Sequence, residues 1–124
     1  MTRSMMQTYV KGSLLAVELY KKALGATIVD AHPLQEGEGY YHCELDVYGQ
    51  ILAVAELQEP AAITGNVMQF CLHFAPGDEA IVEKAYAALK EGGQVLHPLG
   101  PTDFSELMTD LIDPYGVRWC IFVA

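Results

Sequence analysis

Glu56 is the residue of this sequence best placed for acid–base chemistry. In "AVAEL" it directly follows the apolar run 51–55, which carries its carboxylate toward a buried surface. Desolvation there would raise its pKa and suit it to act as a general base. An ion pair with Arg118 is the competing reading, and both stay open at this level. Gln69, Cys71 and His73 alternate with Met68, Phe70, Leu72 and Phe74; Arg118, Cys120 and Phe122 alternate with Val117, Trp119, Ile121 and Val123. A period of two places the apolar set of each strand against a helix and leaves the other set facing away, toward a cleft. His73 is the strongest histidine candidate. His32, His42 and His97 fall at strand ends or turns and read as surface or capping residues. The chain carries no Gly-rich phosphate loop, no Ser-His-Asp spacing and no methyltransferase glycine motif.

Composition narrows the classes. The chain has 124 residues, 52% of them hydrophobic and 19% charged, which fits one small globular domain able to build a core without staples. Seven Lys+Arg against sixteen Asp+Glu give a net charge of −9. That balance argues against nucleic acid and against an anionic membrane surface, which need clustered positive charge. It maintains solubility and, in a cleft, would favour a cationic ligand. No apolar stretch approaches the roughly 20 residues of a membrane span, and the N-terminus has no secretory pattern. Three cysteines, an odd number with no Cys-x-x-Cys pair, indicate neither a disulfide framework nor a zinc knuckle, so a reducing, cytoplasmic setting is expected.

The elements that position these residues repeat. One helix follows Gly12-Ser13, with Ser13 as a candidate N-cap and Ala16, Leu19, Tyr20, Ala23 and Leu24 as its stripe; Gly25 ends it. A second follows Pro76-Gly77, with Ile81, Val82, Ala85, Ala88 and Leu89 as its stripe, and stops at Gly92-Gly93. Strands are expected over 7–10, 26–31, 41–47 and 50–57 around the first helix, with a Tyr48-Gly49 hairpin. Around the second they are expected over 67–74, 94–99, 105–112 and 117–123. Val17-Glu18 and Ala23-Leu24 recur as Val82-Glu83 and Ala88-Leu89 at an offset of 65. The order is βαβββ twice. We therefore expect an α+β single domain over 1–124: module one at about 5–57, a linker at 58–65 and module two at about 66–124. The expected architecture is a curved mixed sheet with a concave cleft and helices on its outer face. The cleft residues would be Gln7, Tyr9, Gln69, Cys71, His73, Arg118, Cys120 and Phe122, with Glu56 as the catalytic candidate. The segment "PLQEGEGYY" (33–41) reads as a loop beside that cleft, and Tyr40, Tyr41 and Phe104 could line a pocket.

"LYKKALGATIV" (19–29) and "DPYGVRW" (113–119) give this pattern a family resemblance. They resemble the helix end and the closing turn of the vicinal oxygen chelate superfamily, which includes glyoxalase I, bleomycin-resistance proteins, fosfomycin-resistance enzymes and extradiol dioxygenases. The closing turn especially resembles the PhnB-like branch, often labelled 3-demethylubiquinone methyltransferase-like, and "GPTDFSEL" (100–107) resembles the segment that closes the site there. In metal-dependent members the resemblance implies four ligands, typically His and Glu, that hold a divalent metal against vicinal oxygens of a substrate. Carried over, those positions are Met5, Glu56, Gln69 and Cys120; Met5 and Gln69 sit 64 apart, as do Glu56 and Cys120. Only Glu56 has the expected type, so no metal and no cofactor is expected. A Glu56–Cys120 zinc site with His73 nearby is the sharper alternative. The resemblance implies a homodimer with a small-molecule ligand. Two functions follow: metal-independent binding of a small molecule, or an enzyme of isomerase, lyase or dioxygenase type using Glu56 with or without a divalent metal.

Overall fold

The structure, a computed structural model, describes residues 1–60 and 66–124, so 61–65 of the expected linker lie outside the described residues. The chain divides into two compact units, 1–63 and 64–124. In the first, β1 (Met6–Val10), α1 (Ser13–Leu24), β2 (Thr27–Pro33), β3 (Tyr40–Val47) and β4 (Gln50–Glu56) form a sheet in the order β1-β4-β3-β2. The second unit has β5 (Phe70–Phe74), α2 (Glu79–Leu89), β6 (Gln94–Gly100), β7 (Leu107–Ile112) and β8 (Arg118–Val123), with sheet order β5-β8-β7-β6. In both sheets the first strand runs parallel to the last and the other pairings are antiparallel. The α+β class and the doubled βαβββ order are thus those of the sequence, realised as two four-stranded mixed sheets.

Periodicity explains what each helix covers. Ala16, Val17, Tyr20, Ala23 and Leu24 of α1 are buried at helical spacing. Paired positions across a sheet share a face, and Val10, Cys43, Leu45, Val47, Leu52 and Val54 form the buried face that meets this stripe. Burying each large aliphatic contributes about 1.5–3 kcal/mol. Gly25 ends α1 in the left-handed conformation, its N–H donating to the Lys21 carbonyl, while Lys21 and Lys22 lie favourably in the last turn. In module two, Val82, Ala85 and Leu89 of α2 cover a face made by Leu72, Phe74, Leu111, Trp119, Ile121 and Val123. Phe70 packs edge-to-face on Trp119 at 5.3 Å.

Boundaries differ from expectation where a side chain or a turn decides them. Ser13 is the first residue of α1 rather than its cap, and Gly12 fills the cap position at a φ of 86°. Met68 does not join the helix-covered face: β5 begins at Phe70, and Val67 and Met68 are exposed. Tyr48-Gly49 makes the expected hairpin with both residues at positive φ, as a primed turn requires. Gly93 follows α2 where a Cβ would lie 2.3 Å from the Ile112 carbonyl, so only glycine fits that approach.

Candidate functional site

The face of each sheet opposite its helix carries the polar residues. In module two, three rows cross that face. Gln69, just before β5, and Arg118 make the first; Cys71 and Cys120, paired in the β5–β8 ladder, make the second; His73 and Phe122, likewise paired, make the third. Arg118 grips Asp110 with two bonds, Nε to Oδ1 at 3.0 Å and Nη2 to Oδ2 at 2.7 Å, and the Gln69 amide donates to the same Oδ1 at 2.9 Å. That bidentate pairing raises the Arg118 pKa further. At the other end, the His73 ring stacks on Phe122 at 4.7 Å and Phe104 meets Phe122 edge-on at 5.3 Å. His73 Nε2 lies 2.8 Å from a main-chain oxygen of Ala124, which only accepts, so the ring nitrogen is the donor. Burial, and then neighbouring Cys71, push the Cys120 thiol up to about 11.

Module one has a chain of hydrogen bonds on its corresponding face. Arg3 donates to both oxygens of Glu44, at 2.8 and 2.6 Å, and Glu44 is almost fully buried. His42 Nε2 lies 3.0 Å from the same carboxylate, and its Nδ1 lies 2.8 Å from the Gln7 side-chain oxygen. Gln7 in turn donates to the Tyr9 hydroxyl at 2.8 Å. Hydrogen bonding from Arg3, then from His42, holds the Glu44 carboxyl down at about 2 despite its burial. Beside this chain, residues 33–36 frame a pocket of about 880 Å³ that His32, Tyr41, His42 and Gln58 also line.

Glu56 belongs to neither face. It pairs with buried Val10 in the β1–β4 ladder, on the side that α1 covers. Its carboxylate accepts the N–H of Gly12 at 3.0 Å, the N–H of Ser13 at 2.9 Å and the Ser13 hydroxyl at 2.8 Å. Burial pushes this carboxyl up, but the bonds from Ser13 and Gly12 outweigh it, and the pKa ends below the ordinary carboxylate value. Both sequence readings of Glu56 are therefore corrected. It is no raised-pKa base, and Arg118 is paired with Asp110 instead. The N-terminus of a helix, with unsatisfied N–H groups and a positive dipole end, is the physical reason a carboxylate settles there.

The assumed equivalence of Glu56 and Cys120 fails as well. Cys120 pairs with exposed Cys71, as Ala53 pairs with Gln7, whereas Glu56 stands to Val10 as Val123 stands to Phe74. The counterpart of Cys120 in module one is thus Ala53, which has no donor. Met5, Gln69, Cys120 and Glu56 do not fit a hard divalent metal: two are neutral weak donors, one is a soft thiol, and Glu56 faces the helix. Among the described residues no group of three or more His, Cys, Asp or Glu side chains converges to hold an ion.

The structure brings Gln69, Cys71, His73, Arg118, Cys120 and Phe122 onto one face of module two, and Gln7 and Tyr9 onto one face of module one. Sequence reading missed Arg3, Glu44 and Asp110, and its surface or capping reading of His42 is corrected: His42 lies within β3, bonded to Gln7 and Glu44. His42 and Glu44 alternate with Cys43 and Leu45 in β3, a period-two signal that could have found them; Arg3 lies outside any periodic segment. It also missed Asp113, whose buried carboxylate accepts the N–H groups of Tyr115 at 2.8 Å and Val117 at 3.1 Å and the Trp119 indole N–H at 2.9 Å.

The model of the Glyoxalase/Bleomycin resistance protein/Dioxygenase superfamily matches residues 9–121. No curated protein matches the chain. Among solved structures, the PhnB protein from Bacillus cereus superposes with a TM-score of 0.83 at 20% identity, covering 99% of this chain and 100% of that one. A protein from Pseudomonas aeruginosa gives 0.77 at 24% identity, covering 99% and 98%. The fosfomycin resistance protein FosX from Listeria monocytogenes gives 0.72 at 10% identity, covering 97% and 91%. At these identities the likenesses establish the fold alone.

Proposed function

The chain belongs to the Glyoxalase/Bleomycin resistance protein/Dioxygenase superfamily, and on that premise we propose that it binds a small organic molecule on a polar sheet face without a metal. One observation carries the reading: the carboxylates that a metal or a general base would need are already occupied. Glu44 is neutralised by Arg3, Asp110 by Arg118, and Glu56 is held by the start of α1. A Lewis-acid centre needs hard donors that are free to converge. What these faces offer instead are the Gln7 and Gln69 amides, the Tyr9 hydroxyl and the aromatic group of Phe104, Phe122 and His73. Amides orient a ligand by hydrogen bonding and aromatic rings bind its flat apolar parts. A net charge of −9 favours a neutral or cationic ligand over an anion.

The family name and FosX suggest bleomycin and fosfomycin as first probes. Bleomycin is cationic with a flat heteroaromatic tail, and fosfomycin is a small anion. We expect bleomycin to raise the melting temperature in proportion to ligand occupancy. The effect should shrink in Phe122→Ala, while fosfomycin and Mn²⁺, Ni²⁺ or Zn²⁺ leave it unchanged. Stoichiometric metal in protein purified without chelator, with metal-dependent melting, would overturn the metal-independent reading.

The same proposal places the protein in the cytoplasm as a homodimer. Cys43, Cys71 and Cys120 are all free thiols, which suits a reducing compartment. Edge strand β2 is exposed at all seven of its residues, Ile28 and Val29 among them, and an open edge of this kind is a surface for a second copy. Light scattering at several concentrations checks the dimer. Among the described residues no helix is long and apolar enough to cross a membrane.

A further inference from the structure

We propose that Cys71 and Cys120 are a redox pair, which a soluble low-molecular-weight disulfide such as oxidised glutathione converts to a bridge across the β5–β8 ladder. The two residues are directly opposite in that parallel ladder. Adjacent strands lie about 4.8 Å apart, inside the roughly 4.4–6.8 Å between Cα atoms that a disulfide spans. Both side chains leave the same face of the sheet, each the other's direct neighbour across the ladder. The pair is also asymmetric in the way thiol exchange requires. Cys71 is exposed and open to attack on a reagent, Cys120 is partly sheltered beside it, and Cys43 is fully buried.

The exchange balances without any further reactant. The Cys71 thiolate attacks one sulfur of the reagent, the reagent's S–S bond breaks, and one thiolate leaves. Cys120 then gives up its proton and attacks the Cys71 sulfur of the mixed disulfide, expelling the second thiolate. Two protein thiols lose two electrons and two protons, and one reagent disulfide becomes two thiols. The order follows from the surroundings. Burial and then Cys71 push the Cys120 thiol up to about 11, so it does not initiate; capping Cys71 removes its share of that shift before the second step. An exposed bridge of this kind is readily reduced again, which makes it a reversible modification rather than a staple. It would tie β5 to β8 in the middle row and remove two thiols from the face between the Gln69–Arg118 and His73–Phe122 rows. The inference stands apart from the ligand reading and survives its failure.

The test uses the full chain, reduced and then equilibrated in glutathione buffers from reducing to oxidising, followed by alkylation and peptide mapping. We expect the three alkylatable thiols to fall to one, a peptide linked through Cys71 and Cys120, and full reversal in reduced glutathione. Cys120→Ser should stop at glutathione on Cys71, and Cys71→Ser should leave Cys120 unmodified. Wild-type protein that keeps all its thiols would overturn the proposal. So would wild-type protein that accumulates the mixed disulfide at Cys71 or links Cys71 to a second molecule. The wild-type map decides the matter even if a variant fails to fold.

Discussion

Glu56, the last residue of β4, accepts both the backbone N–H and the hydroxyl of Ser13, the first residue of α1. A strand end thereby caps the helix that packs on its own sheet. Glu56→Ala removes the acceptor from three donors and should lower stability by about 1–2 kcal/mol, the usual worth of a lost N-cap. Urea unfolding should show a reduced midpoint with an unchanged slope. Because the folded-state pKa lies below the ordinary carboxylate value, this contribution is full above that value and fades as pH falls through the folded pKa. The gap between wild type and variant should therefore narrow in acid.

Gly39 lies over the same carboxylate. A Cβ there would sit 2.6 Å from Glu56 Oε1 and 3.0 Å from Ser13 Oγ, at a φ of 137° that side chains rarely adopt. Gly39→Ala should destabilise the fold by roughly 1–3 kcal/mol from backbone strain and contact together. In a double-mutant cycle with Glu56→Ala the two costs should fall short of additivity, since removing the side chain relieves the contact.

Glu44 sets part of the acid limit of stability. Its carboxyl is held at about 2 in the folded chain by Arg3 and His42, against an ordinary value of 4.5. The stabilisation is complete above the ordinary value and is lost as pH falls from there through about 2. Arg3→Ala should move the acid unfolding midpoint to higher pH. NMR titration of Glu44 should show its pKa rising in that variant.

Asp113 can be checked through the single tryptophan. Asp113→Asn keeps the shape but leaves one acceptor oxygen for three donors. Losing bonds to a buried charge costs about 1.5–3 kcal/mol. The Trp119 emission maximum should shift as its indole N–H loses its partner, and the melting temperature should drop with it.

Where alternation was clean, the sequence was readable. β8 alternates half-exposed Arg118, Cys120 and Phe122 with buried Trp119, Ile121 and Val123, so the face of Cys120 followed from its neighbours. β4 does not alternate: Leu52, Ala53, Val54 and Ala55 are all buried. An alanine fits either face, so nothing in "AVAEL" revealed which side Glu56 takes. A fixed offset between the modules then misassigned it, because the loops and strands of the two halves are not equal in length. Partner choice was hidden for a different reason. Arg3 and Glu44 are separated by 41 residues, and Glu56 and Ser13 by 43, so no local pattern links them. The closing "DPYGVRW" is legible as a resemblance, but its physical basis is one aspartate tying a turn to an indole six residues on, which no local pattern reveals.

The ladder position of Ala53 sets terms for anyone redesigning this scaffold. A carboxylate meant to stand directly beside Gln7 on β4 has to be planted at Ala53, where the methyl group is wholly enclosed and a longer side chain must displace its neighbours. Glu56 cannot be recruited for the task, since turning it outward would uncap α1. Retrofitting chemistry onto this fold therefore begins with excavation at an alanine, with the one conspicuous glutamate left untouched.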